Sequence, residues 1–220
     1  MASAPRDRSR TDGREAVDKR RLILDAAVRV FAGRGFHSCR VSDVADEAGV
    51  AYGLVYHYFD SKEEILNTLF TERWQLMLDA ITAIDARDDI GAREKLEGVA
   101  SFIIDSYRHE PELMKVIIVE VTRAANTFGR LHLEKIREAY TLIADIVDSA
   151  RREGAFKTDI TPEFGAMCFY GAIEQLLSAW IFDILPRSDQ EFENAKGLVV
   201  DAICGGLEVS PATGLSAVSG

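Results

Sequence analysis

The chain has 220 residues, 47% of them hydrophobic and 28% charged, and a net charge of −10, the profile of one large or two small globular domains. No apolar run reaches about 18 residues, so no membrane span is expected. The N-terminal arginines lead into no apolar block, so no secretory leader is expected either. Cys39, Cys168 and Cys204 lie far apart with neither metal-ligand spacing nor a disulfide framework, which points to a reducing cytoplasm, no metal and no cofactor.

The charge is unevenly spread. Residues 1–62 hold 11 Lys+Arg against 9 Asp+Glu, whereas residues 63–220 hold 15 against 27. A local basic excess is the footprint that a nucleic-acid surface needs, and an acidic remainder keeps non-specific affinity low.

In chain order, residues 1–16 carry Arg6, Arg8, Arg10 and Arg14 among Ser, Asp and Gly. They have almost nothing to bury and read as a disordered arm, either a solvated tail or a minor-groove arm. Residues 17–33 form a helix whose apolar stripe is Leu22, Ile23, Ala26, Ala27 and Val30, with Phe31 joining the core. Gly33 and Gly35 end it, and Phe36 plugs the junction that follows. Val41, Val44, Ala45 and Ala48 recur at helical spacing, Gly49 supplies a helix stop, and a second helix runs from Ala51 or Tyr52 to Phe59. Two short helices about a tight turn are the layout of a helix-turn-helix, whose second helix enters the major groove of DNA.

On that second helix Val55 and Phe59 face inward, which leaves Tyr52, Gly53, Leu54, Tyr56 and His57 outward. Such a row is a poor solvated surface and a good groove-facing one. Gly53 lets the backbone approach, and tyrosine hydroxyls bond phosphates or bases. The alternative is a surface helix folded back on its own domain.

Ser61 and Glu64 form a capping box for a long helix reaching about Arg87, with an inward stripe of Ile65, Leu69, Trp74, Met77, Leu78, Ile81 and Ile84. Further helices are expected over 92–108, 111–125, 129–153, 162–184 and 189–208, marked by Pro111, Gly154, Thr161-Pro162 and Ser188. Residues 116–119 are β-branched, yet no partner strand exists for them. The fold class is therefore all-α, about nine helices, with a three-helix helix-turn-helix domain followed by a helical bundle. Residues 209–220 read as a disordered tail.

The runs Gly35-Phe36, Val41-Ser-Asp-Val-Ala-Asp-Glu-Ala-Gly-Val50, Tyr56-His-Tyr-Phe59 and Ser61-Lys-Glu-Glu-Ile65 closely resemble the N-terminal domain of TetR-family transcriptional regulators. The resemblance covers about residues 19–66. It implies a DNA-binding domain over 17–62 and a ligand-binding and dimerisation domain over 63–208. It implies that Tyr56 and Lys62 contact phosphates and that Tyr52, Gly53 and Leu54 read bases. Arg40 and Ser42 at the start of the second helix, with His57, complete the expected DNA-facing set. Two departures stand out. Cys39-Arg40 replaces the family's Ser or Thr, leaving the cap to Ser38 or Ser42, or a direct Arg40–phosphate contact in its place. Leu54 replaces a polar residue, which suggests contact with a thymine methyl.

Residues 163–184 are apolar nearly all round, which calls for burial on both sides. Its own bundle supplies one side and a second subunit the other. Together with the small residues of the last helix, this resembles the TetR-family dimer interface, here Phe164, Met167, Gly171, Ser178, Gly197, Asp201, Ala202 and Gly205. The implied homodimer reads a two-fold, palindromic operator on double-stranded DNA.

In the second domain Trp74, Met77, Phe102, Tyr107, Ile118, Phe128, Tyr140 and Tyr170 are large and lie on several helices. Each reads either as core or as the wall of a hydrophobic small-molecule pocket. Glu120, Arg123 and Glu174 interrupt apolar stretches and must pair, point outward or orient a ligand headgroup.

The histidines (His37, His57, His109, His132) show no Glu-x-x-His pair, and no nucleophile elbow, P-loop or dinucleotide fingerprint occurs, so no enzyme is expected. The run from Ala166 to Trp180, with Arg123 and Asn126, resembles the subgroup that regulates fatty-acid degradation and senses long-chain acyl-CoA. That resemblance implies a repressor released from its operator by the effector. A multidrug-efflux regulator sensing aromatic or cationic drugs, or a helical ligand carrier that binds no operator, stands as the alternative.

Overall fold

The computed structural model describes residues 8–123 and 129–208, with side chains over 18–119 and 132–208. Among the described residues it is built of helices: α1 (Arg8–Arg34), α2 (Val41–Ala48), α3 (Tyr52–Tyr58), α4 (Lys62–Asp85), α5 (Ala92–His109), α6 (Pro111–Arg123), α7 (Gly129–Arg152), α8 (Pro162–Ile181) and α9 (Asp189–Leu207). None is long and apolar enough to cross a membrane. The chain groups into two compact units, one of residues 1–73 with 110–129, the other of residues 74–109 with 130–220. The division passes through α4.

In the first unit α1 packs on α2 and α6, and α2 packs on α3. Ile23, Ala26, Ala27, Val30 and Phe31 of α1 meet Val44, Ala45 and Ala48 of α2, Val55 of α3, Ile65 and Leu66 of α4 and Val116 of α6. Ala45 and Ala48 are small enough to let α1 approach closely. Phe36 is buried edge-on against Phe31, with centroids 5.2 Å apart, so it plugs the α1–α2 junction as its position suggests. Val116 and Ile117 lie inside α6 and are buried, so tertiary burial overrides their strand propensity. Lys115 Nζ donates to the Ala32 carbonyl at 3.0 Å, tying α6 to the end of α1.

Three helix ends differ from the sequence expectation. α1 begins at Arg8, ahead of the apolar stripe. α4 stops at Asp85 rather than Arg87, because the Arg87 guanidinium turns to Asp89 in the following loop, at 3.1 and 2.6 Å. α8 stops at Ile181 rather than residue 184. Asp183 adopts a left-handed φ of 56°, which Asp tolerates better than most residues, and the Ile184 N–H closes on the Ala179 carbonyl at 2.8 Å. The N-terminal cap of α2 also differs. Neither Ser38 nor Ser42 supplies it. The Asp43 carboxylate accepts the Arg40 N–H at 2.7 Å and the Arg34 guanidinium at 2.9 Å, joining the end of α1 to the start of α2.

The second unit is centred on α5, α8 and α9, which pack on one another. Tyr107 stacks on Trp180 (5.7 Å, 19°), and Trp180 meets Phe192 edge-on (4.8 Å, 67°). Pairs of this kind contribute about 0.5–1.5 kcal/mol each beyond the area that they bury. Lys196, also buried, is held by Asp105 at 2.7 Å and Glu193 at 2.8 Å. Burial alone would lower its pKa, but the two carboxylates outweigh it and leave the ammonium above its usual value. Thr161 and Ser188 cap α8 and α9 by accepting the N–H groups of Phe164 (3.3 Å) and Glu191 (3.2 Å), as their N-cap signatures indicate.

The α2–α3 turn depends on Gly49, whose φ is +66°. Its N–H and that of Val50 return to the Asp46 and Ala45 carbonyls at 3.2 and 3.0 Å. A Cβ built at Gly49 would meet nothing within 4 Å, so only the backbone opposes a side chain there. Gly33, inside α1 with ordinary φ, is equally open. Gly49→Ala is therefore expected to lower stability by about 1–2 kcal/mol and Gly33→Ala to raise it by about 0.5 kcal/mol. Urea midpoints that move in opposite directions would bear this out.

Candidate functional site

The exposed side of α3 is built by its buried side. Val55 and Phe59 are anchored in the core of the first unit, and this turns Tyr52, Gly53, Tyr56 and His57 to the surface, with Leu54 half-buried. Tyr52 and Tyr56 are 53% and 43% exposed, unusual for such large aromatics. They form a pair, with rings edge-on at 5.0 Å and hydroxyls 3.1 Å apart. The hydrogen bond with Tyr52 is the main reason that the Tyr56 hydroxyl titrates above its ordinary value. One hydroxyl proton is taken up within the pair, which leaves the other to donate to an anion. A Cβ at Gly53 would meet nothing within 4 Å, so the backbone is bare there.

Arg40 is exposed and Ser42 half-buried at the start of α2. Lys62 is placed differently from a free surface cation. Its ammonium donates to the Phe36 carbonyl at 2.8 Å and the Cys39 carbonyl at 3.1 Å, and lies 4.6 Å from the centre of the Phe36 ring. The first residue of α4 thus clasps the α1–α2 junction. An ammonium has three donors, so one remains beyond these two bonds.

The residues expected to line a pocket separate into groups. Trp74, Tyr140 and Tyr170 come together with Ile136 and Ala139 around a narrow apolar gap that has no room for a water molecule. Trp74 is held by its indole N–H, which donates to the Lys135 carbonyl at 2.9 Å. Tyr140 and Tyr170 meet edge-on at 5.3 Å. Glu174 lies one turn beyond Tyr170 on α8. Burial pushes up the pKa of all three groups, and the Glu174 charge raises both tyrosines further.

An open groove of about 640 Å³ lies beside the gap, with Arg137, Thr141, Ala144 and Met167 in its wall, and Tyr140 borders both. Met77 is buried and Phe102 half-buried. Tyr107 belongs to the Trp180–Phe192 core. Ile118 is half-buried in the first unit. The side chains of Glu120, Arg123 and Phe128 lie outside the described residues. Sequence reasoning missed Ile136 and Ala139. The available signal was their spacing of one helical turn on α7, which puts them and Tyr140 on one face.

On the expected pairing face Phe164 and Met167 are 60% and 59% exposed. Gly197, Asp201, Ala202 and Gly205 are exposed too, with Gly171 and Ser178 half-buried. Leu198 is 65% exposed beside them. It lies three, four and seven residues before Asp201, Ala202 and Gly205, the spacing of a single helical stripe. Asp201 is paired with Arg93 of α5.

Two family profiles match the chain in succession: bacterial regulatory proteins of the tetR family over residues 23–69, and the C-terminal region of YsiA-like protein over residues 70–194. The fatty acid metabolism regulator protein of Bacillus subtilis (strain 168) is 30% identical over 172 residues, which cover 78% of this chain and 85% of that protein. Among solved structures, the fatty acid degradation regulator FadR from Bacillus halodurans shares the fold at a TM-score of 0.75 and 21% identity, over 94% of this chain and 98% of that one. FadR from Bacillus subtilis, solved in complex with stearoyl-CoA, shares it at 0.72 and 24% identity, over 84% and 97%. An anchored helix-turn-helix, an all-helical second unit and two successive profile matches converge on one conclusion: this chain belongs to the TetR family of bacterial DNA-binding transcriptional regulators and is not an enzyme.

Proposed function

We propose that the protein is a cytoplasmic homodimeric repressor that holds a palindromic operator and leaves it when a long-chain acyl-CoA enters its second unit. One observation carries the reading. Trp74 is a wall of the apolar gap and also a residue of α4, the helix that opens with Lys62 at the α1–α2 junction. An acyl chain is far larger than the gap, so filling it displaces Trp74, and α4 carries the displacement to the helix-turn-helix. The regulator from Bacillus subtilis that binds stearoyl-CoA in its solved complex supports the choice of ligand.

In this reading Arg40, Ser42, Tyr52, Gly53, Leu54, Tyr56 and His57 face the DNA, and the remaining donor of Lys62 reaches a phosphate. The exposed face of α8 and α9 pairs two copies, so that two α3 helices stand at the roughly 34–36 Å separation that a two-fold site demands. An effector that binds the released form about 100-fold more tightly shifts the balance by about 2.7 kcal/mol, enough to empty most operators.

Two measurements test this. Gel shifts on the duplex upstream of the gene should show one dimer bound, and saturating stearoyl-CoA should weaken that binding about 100-fold. No effect of stearoyl-CoA would end the effector assignment. Lys62→Met should reduce the dependence of log Kd on log salt by about one phosphate contact. The same variant should lower stability by about 1–3 kcal/mol, because two carbonyls lose a charged donor. An unchanged salt slope with lowered stability would leave Lys62 a purely structural clasp.

A further inference from the structure

The surface that α3 offers a duplex is short of the groups that usually read bases. From Tyr52 to Tyr58 the helix contains no Lys, Arg, Asn, Gln, Asp, Glu, Ser or Thr, and its hydrogen-bonding side chains are three tyrosines and His57. Tyr58 is half-buried and packs against the core of the first unit. Tyr52 and Tyr56 bond to each other through their hydroxyls at 3.1 Å. A hydroxyl donates or accepts alike, so what remains of the pair suits any base edge. His57 stands in the last turn, whereas a recognition helix brings its N-terminal residues to the base edges.

The N-terminal half of α3 is largely apolar. Ala51, the residue before the helix, is exposed together with Tyr52 and Gly53, and Leu54 is half-buried beside them. A Cβ at Gly53 would meet nothing within 4 Å, so no side chain there holds the backbone off a base. Arg40 stands immediately before α2, the helix that crosses the phosphate backbone in this motif. The pairing of Arg or Lys with guanine, or of Asn or Gln with adenine, is therefore not available to α3. What its N-terminal surface matches is the apolar group of the major groove, the C5-methyl of thymine.

We infer that the protein reads its operator chiefly through thymine methyl groups, packed against Leu54 and the Tyr52 ring, with Gly53 allowing the close approach. The inference rests on the operator reading above, in which α3 faces the duplex, and is independent of the effector. A methyl, rather than a pattern of hydrogen bonds, is then the feature that separates the operator from other DNA. Phosphate contacts add affinity that every duplex shares.

Gel shifts of the full chain on the duplex upstream of the gene, prepared once with thymine and once with uracil throughout, test this, because uracil lacks only the methyl. One buried methyl is worth about fourfold in affinity, and a two-fold site repeats each contact, so uracil should weaken binding by about tenfold or more. A third preparation with 7-deazaguanine, which lacks the N7 acceptor, should bind within about twofold of the unmodified duplex. Leu54→Ala and Tyr52→Ala, both outside the core of the first unit, should each lower the ratio of thymine to uracil affinities. Equal affinities for the two duplexes, or a larger loss with 7-deazaguanine than with uracil, would overturn the inference while leaving the operator reading intact, and need no variant to fold. A thymine preference that both substitutions leave unchanged would overturn it too, since it would then come from the stiffness of the DNA. Failure to bind the unmodified duplex would overturn the operator reading together with this inference.

Discussion

One continuous hydrogen-bonded helix is the constraint on which the rest depends. α4 runs from Lys62 to Asp85 without a proline or a glycine, a rod of about 36 Å at 1.5 Å per residue. Its first residue is bonded to the carbonyls of Phe36 and Cys39, and further along Trp74 is bonded to the carbonyl of Lys135. A helix of this length curves gently as its solvent-side hydrogen bonds lengthen, without losing them. Both anchors therefore belong to one continuous helix, and the proposed mechanism rests on that continuity.

The helix-turn-helix shows why such an anchor matters. α2 and α3 have eight and seven residues, far below the length at which an isolated helix holds together in water. Their shape is imposed by the core, through Val44, Ala45, Ala48 and Val55, and by the Asp43 carboxylate that spans the α1–α2 junction. Lys62 closes that junction from the other side. The exposed Tyr52–Tyr56 pair is thus held on a scaffold whose geometry is set elsewhere in the first unit.

The second unit divides its side chains between two tasks. α8 carries Trp180 into a tight aromatic core with Tyr107 and Phe192, Tyr170 into the gap shared with Trp74, and Phe164 and Met167 outward. The first is fully packed and has no reason to open. The second is an apolar gap with no room for a water molecule.

The number of helices, most of their boundaries and most of the inward faces were legible in the residues, because helical periodicity and the Gly, Pro, Ser and Thr punctuation are local properties; Leu22, expected in the α1 stripe, is instead exposed, and Leu66 and Phe70 of α4 join the core unforeseen. The outward row of α3 was legible for the same reason, since fixing Val55 and Phe59 inside leaves Tyr52 and Tyr56 no other place. What local signals could not resolve was which buried aromatic belongs to packing and which to a pocket. Tyr107 and Tyr140 look alike in sequence, and only the contacts separate them, one against Trp180 and the other against Tyr170 and an empty gap. The same holds for Lys62, whose ammonium has its partners more than twenty residues away, at Phe36 and Cys39. The sequence by itself determined the helices and the faces that they bury. The tertiary structure alone decided which side chains meet across them, because a contact between distant residues depends on how the helices pack and leaves no periodic trace in the chain.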